Sequence, residues 1–142
     1  MFLMDFTLTE EQRLLVETIR EFVRRELKPL EEGVETSGYL ADEVASEIQE
    51  KSRGLGLYAI NIPREFGGGG LSVLEWMMAE EQFGRTSDIL IRRAFGNVYE
   101  ILLEASEEQK QTYLLPAVRG KRTFSIAFTE PEAGSDAAAI KT

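Results

Sequence analysis

Ala127-Phe128-Thr129-Glu130-Pro131-Glu132-Ala133-Gly134-Ser135-Asp136 is the stretch on which the reading of this 142-residue chain turns. The residues leading into it, Thr123-Phe124-Ser125-Ile126-Ala127-Phe128, place aromatic and β-branched side chains in near alternation with small ones, which predicts a short β-strand. Pro131 fixes φ and has no N–H to donate, so the strand stops there. Gly134 lets the backbone come close to a ligand. Successive N–H groups at Gly134, Ser135 and Asp136 can cradle an anion such as a phosphate. Thr129 and Ser135 add hydroxyl donors. On local chemistry alone, the same residues also make an ordinary polar turn after a strand.

Upstream of this stretch the pattern is helical. Thr9-Glu10-Glu11-Gln12 forms a capping box, with acidic residues at the positive end of the helix dipole. Leu15, Ile19, Phe22 and Val23 then recur at helical spacing. Pro29 predicts an end to this first helix near Leu27, followed by a polar connection over residues 31–38. A second helix is expected over about 42–53, with Val44, Ile48 and later Leu55 facing inward. Residues 57–63 are apolar and predicted to be extended, and they lead into Arg64-Glu65-Phe66 and four glycines, 67–70. The glycine run is no phosphate-binding P-loop, because it lacks Gly-Lys-Ser/Thr and a strand-to-helix setting.

Ser72 and Glu75 form a second capping box. They open a third helix expected to bury Leu74, Met77, Met78 and Phe83 and to stop at Gly84. A fourth helix, capped by Ser87 or Asp88, is predicted to run to about residue 104. Its stripe is Ile91, Phe95, Val98 and Leu102, widened by Leu90, Ala94 and Ile101, and its polar face carries an Arg93–Asn97 contact. Ser106 and Gln109 cap a fifth helix carrying Leu114, Leu115 and Val118, interrupted by Pro116 and ended by Gly120.

Composition bounds the chemistry. A hydrophobic content of 43% suffices for a packed core. The formal net charge of −9 argues against nucleic acid or an anionic membrane as a partner. With no cysteine and no histidine, disulfides, thiolate and imidazole metal sites and His-based triads are impossible within this chain. Met1-Phe2-Leu3-Met4 is too short for a signal peptide, and no apolar run reaches the roughly 20 residues needed to span a bilayer. A cytoplasmic, reducing compartment is expected.

Thr129-Glu130-Pro131-x-Ala133-Gly134-Ser135-Asp136, following a short apolar strand, resembles the signature of the acyl-CoA dehydrogenase family. Ile62-Pro63-x-Glu65-Phe66-Gly67-Gly68-x-Gly70-Leu71 is similar to that family's connection between helices, and the capped first and fifth helices look alike too. The resemblance runs from Thr9 to Thr142. It implies an all-α fold, a bundle of about five helices over residues 1–121. One C-terminal β-strand would follow, belonging to an incomplete FAD-binding β-domain that begins within residues 122–142.

By position, the resemblance implies that Ile126, Phe128 and Thr129 lie along the flavin ring of FAD. Gly134 and Ser135 would contact its pyrophosphate, and Ser135 would also lie near the thioester substrate. The implied reaction is α,β-dehydrogenation of an acyl-CoA, with hydride passing to flavin and electrons on to an electron-transfer flavoprotein. The implied full-length assembly is a dimer or tetramer. The family's catalytic glutamate would lie beyond Thr142, so no catalytic residue is assigned here and Glu130 is read as structural. The 142 residues alone are expected to be inactive and to bind FAD poorly or not at all, because the strand lacks a neighbour. A flavin acyl-CoA oxidase, an enoyl-CoA reductase and a non-catalytic helical module are the alternatives. Arg92 and Arg93 fall on the helix that the resemblance puts near the acyl-pocket floor, which favours a short or polar acyl group.

Overall fold

A computed structural model of the protein describes residues 6–96 and 98–142. The run Met1-Phe2-Leu3-Met4 and the expected Arg93–Asn97 contact lie outside the described residues. The fold is all-α, with five helical stretches among the described residues and no sheet.

The first stretch joins α1 (Glu10–Phe22) to α2 (Lys28–Ser37) through a π-turn, Val23–Leu27. Thr9 caps α1 with both bonds of the box in place, Gln12 N–H to Thr9 Oγ1 at 3.2 Å and Thr9 N–H to Gln12 Oε1 at 3.0 Å. The expected break at Pro29 does not occur. The π-turn ends with Lys28 N–H bonded to the Val23 carbonyl, and Pro29 falls in the first turn of α2, where its missing N–H costs nothing. Residues 31–37 are therefore helix rather than connection, and they bury Val34. Gly38, at φ +66°, closes α2 through its N–H to the Val34 carbonyl, 2.8 Å.

α3 (Asp42–Gly54) lies where it is expected and buries Ala45, Ile48 and Ser52, but Leu55 points outward. α4 (Val73–Phe83) begins at the Ser72–Glu75 box. It buries Ala79, Gln82 and Phe83 and leaves Leu74 and Met77 on the surface, contrary to the expected inward set. α5 (Asp88–Phe95) stops eight residues in, not near residue 104. The cause is tertiary. The Phe95 carbonyl accepts from Ala59 N–H at 2.9 Å, and Gly96 turns away at φ +81°, against the Tyr58 ring. A short 3₁₀ helix, Glu100–Glu104, follows. The last stretch comprises α6 (Glu107–Gln109), a π-turn Lys110–Leu114 and α7 (Leu115–Val118), and it carries Pro116 without a break by the same device as Pro29.

α1 packs on α4 and α3 on α5. The main core lies between them, with Ile19, Leu27, Ile48, Leu90 and the stacked pair Phe83–Phe95. Arg20 Nε donates to buried Gln82 Oε1 at 2.8 Å across the α1–α4 seam. A second cluster, built on Tyr58, Ile62, Val98, Leu114 and Val118, joins the last stretch to the bundle and takes Phe124 on its edge.

Candidate functional site

Residues 57–62 are not extended. They form successive turns, with Ala59 at φ +52°, and all but Asn61 are buried. The glycine run folds back on them. Gly69 N–H donates to the Ala59 carbonyl (3.1 Å), Gly70 N–H to Ile62 (2.9 Å) and Leu71 N–H to Ile60 (2.9 Å). A Cβ at Gly68 would lie 2.1 Å from the Ile62 carbonyl oxygen. These N–H groups are spent on the protein's own carbonyls, so none is left to cradle a phosphate.

The signature stretch follows Phe124, which packs against the second cluster. Residues 123–128, expected as a strand, have no backbone hydrogen-bond partner among the described residues and form no ladder. A strand takes its backbone hydrogen bonds from a neighbour, and none is present to supply them. Phe124 is half-buried on the second cluster, whereas Ile126 is 49% exposed and Phe128 66%.

Beyond Thr129 the chain is ordered by its own bonds. Glu130 and Ala133 exchange both backbone hydrogen bonds, at 2.9 and 3.2 Å, around Pro131-Glu132, and Ala133 is buried. Asp136 Oδ1 accepts from Ala138 N–H at 3.2 Å and starts a 3₁₀ turn, Ala137–Ala139. The Glu130 carboxylate accepts from Lys141 N–H (3.0 Å), Thr142 N–H (3.2 Å) and the Thr142 hydroxyl, and Lys141 Nζ pairs with Glu132. The Thr142 hydroxyl bond, then the two N–H groups, hold the Glu130 carboxyl below the ordinary carboxylate range. This closes residues 130–142 into a loop. The clamp could not be read from sequence, because its two ends are separated by 11 and 12 residues. The Asp136 cap follows a known local pattern, an Asx turn two residues long.

Of the five expected site residues, Gly134 and Ser135 lie on this loop, and Ile126, Phe128 and Thr129 precede it. Ile126, Phe128, Thr129, Gly134 and Ser135 are all exposed. The N–H groups of Gly134 and Ser135 and the hydroxyls of Thr129 and Ser135 have no protein partner among the described residues. A Cβ on Gly134 would meet nothing within 4 Å. Open space beside two successive N–H donors suits an anionic group such as a phosphate.

Cavities lie elsewhere. A cleft of about 790 Å³ between α3, the glycine run and α7 is lined by Arg53, Arg64, Arg119, Glu50 and Glu65 and includes none of the signature residues. A pocket of about 130 Å³ lies beside Gly96 under Trp76, Phe95, Tyr99 and Glu100. Burial pushes the Tyr58 phenol up. Arg92 pairs with Asp88 at 2.6 Å on the surface, and Arg92 and Arg93 border a third pocket with Tyr58 and Thr123.

Residues 9–121 match the family model for the acyl-CoA dehydrogenase N-terminal domain. The chain belongs to the acyl-CoA dehydrogenase family. Among relatives, it is 36% identical to acryloyl-CoA reductase (NADH) of Anaerotignum propionicum, over 98% of this chain and 35% of that one. It is 32% identical to the short-chain-specific acyl-CoA dehydrogenase of Clostridium acetobutylicum, over 98% and 37%. It is also 32% identical to a subunit of the caffeyl-CoA reductase–Etf complex of Acetobacterium woodii, over 94% and 36%. The fold matches that of an acyl-CoA dehydrogenase from Geobacillus kaustophilus with a TM-score of 0.73 at 24% identity, covering 96% of this chain and 36% of that one. The acyl-CoA dehydrogenase family chain thus spans about a third of the length of the relatives it matches. Among the described residues no helix is long and apolar enough to cross a membrane.

Proposed function

We propose that residues 122–142 open an FAD-binding β-domain set on the helical domain of residues 1–121, and that the protein they belong to acts on acyl-CoA thioesters at the α,β bond. The carrying observation is the pair of unpartnered N–H groups at Gly134 and Ser135 on a loop clamped by Glu130, in a chain segment that also exposes Ile126 and Phe128. FAD, when bound, supplies the hydride acceptor. Gly134 and Ser135 donate to its pyrophosphate, Ile126 and Phe128 cover the ring, and Thr129 donates to a polar edge. Ser135 also faces the substrate thioester. Glu130 is already bonded to Lys141 and Thr142 and holds the loop in shape rather than moving a proton.

Direction depends on the electron partner, and the relatives include both a dehydrogenase and reductases. An electron-transfer flavoprotein is the assigned partner, supported by the relative that belongs to an Etf complex. A short acyl group is assigned, supported by the two relatives named for acryloyl-CoA and short-chain substrates. A cytoplasmic setting and a dimeric or tetrameric full-length assembly complete the reading.

The test is an FAD titration of the ¹⁵N-labelled chain, read by amide shifts. The expected result is weak, saturable shifts concentrated at Phe128, Thr129, Gly134 and Ser135. Shifts confined to the Arg53–Arg64–Arg119 cleft would reject the flavin assignment and leave a helical module.

A further inference from the structure

The pocket of about 130 Å³ beside Gly96 lies between α4, α5, the turns at residues 60–61 and the 3₁₀ helix Glu100–Glu104. Every described wall thus belongs to residues 60–100, inside the helical domain. The walls are of two kinds. Trp76, Ile91, Phe95 and Tyr99 present carbon, and Glu80 and Glu100 bring two carboxylates.

Both carboxylates are held by neutral donors. Trp76 Nε1 donates to Glu80 Oε1 at 2.9 Å, and the Asn61 side-chain amide donates to Glu100 Oε1. Asn61 Nδ2 is itself fixed by the Val98 carbonyl at 2.8 Å. Neither carboxylate has a cationic partner among the described residues. Arg92, the cation beside Tyr99, is taken by Asp88 at 2.6 Å. A carboxylate has about four acceptor sites, so both keep capacity for a further donor or a positive charge.

We propose that this pocket binds a small alkylammonium group. Its charge faces Glu80 and Glu100, and its carbon atoms pack against the aromatic and aliphatic walls. Indole and phenol rings attract a cation beyond simple contact, the indole most strongly. At about 30 Å³ per water in the liquid, the pocket has room for about four waters, which suits a head group of about four or five heavy atoms such as trimethylammonium. A hard divalent metal is the wrong guest, because it asks for about six or more oxygen ligands and these walls are mostly carbon. No cluster of three or more metal-ligating side chains occurs among the described residues. The same recognition serves a free amine and an acyl group that ends in an ammonium; the second source rests on the acyl-CoA reading above, the first does not.

Trp76 is the only tryptophan in the chain, so its fluorescence reports this pocket directly. Choline and its neutral isostere, 3,3-dimethylbutan-1-ol, are titrated at constant ionic strength. A saturable change with choline in the millimolar range is expected, about tenfold weaker or more with the isostere, together with ¹⁵N amide shifts at Gly96, Tyr99 and Glu100. Those shifts lie apart from residues 128–135, so the result is read independently of the flavin assignment. Glu80→Gln and Glu100→Gln keep an oxygen for Trp76 and Asn61, so helical circular dichroism should be unchanged while choline binding weakens about tenfold. The wild-type comparison stands whether or not a variant folds. Comparing 4-(trimethylammonio)butyryl-pantetheine with butyryl-pantetheine separates the sources: binding of the charged thioester tighter than choline assigns the end of an acyl group, and binding equal to choline assigns a free amine. Equal responses to choline and the isostere, no saturable change in either readout, or choline binding unchanged in both folded Gln variants would each overturn the proposal.

Discussion

A methyl group at Gly68 would meet the Ile62 carbonyl oxygen at 2.1 Å, and that carbonyl is backbone, pinned by Gly70 N–H. It has no room to give. Gly68→Ala is therefore expected to cost about 1–3 kcal/mol, read as a drop in the denaturant midpoint. Gly134 is the opposite case. With nothing within 4 Å of its Cβ position, Gly134→Ala should change stability by less than about 0.5 kcal/mol while weakening the FAD-induced shifts. Glu130 supplies a pH test. Its folded pKa lies below the ordinary value, so the clamp on Lys141 and Thr142 is complete above the ordinary carboxylate range and is lost as pH falls through the lowered value. In an acid titration the Lys141 and Thr142 amide shifts should move with a midpoint lower than that of a free glutamate, and Glu130→Gln should abolish the transition.

α5 is short but central. Phe95 stacks on Phe83 at 3.7 Å and meets Phe22 edge-on at 5.6 Å, tying α5 to α4 and α1. Phe95→Ala should cost about 3–5 kcal/mol, a large share of the stability of a domain this size, and should show as a much lower thermal midpoint. All three expected capping boxes, at Thr9, Ser72 and Ser106, form as read. Each depends only on residues three apart, so sequence suffices. The misreadings share another cause. Pro29 and Pro116 are absorbed by π-turns, and α5 is cut short by a bond from Ala59, 36 residues upstream. Neither is visible to a periodicity count.

The whole molecule carries a net charge of −9, and its exposed ion pairs are mostly i, i+3 or i, i+4 contacts within single helices. Such pairs contribute little and are screened together with the general repulsion. Repulsion should dominate, so moderate salt is expected to raise the thermal midpoint; a midpoint that falls with salt would show that the ion pairs matter more.

By itself the sequence determined where the capped helices begin, which residues bear the family signature and that a bundle of about five helices would form, because capping, helical periodicity and turn chemistry act over a few residues. The tertiary structure decided the rest: that the glycine run closes on residues 59–62, that Phe95 ends its helix, that Glu130 clamps the last two residues, and that the expected strand stays unpaired. Each of these needs a hydrogen-bond partner distant in sequence, and whether such a partner arrives is settled only when the chain has folded around it.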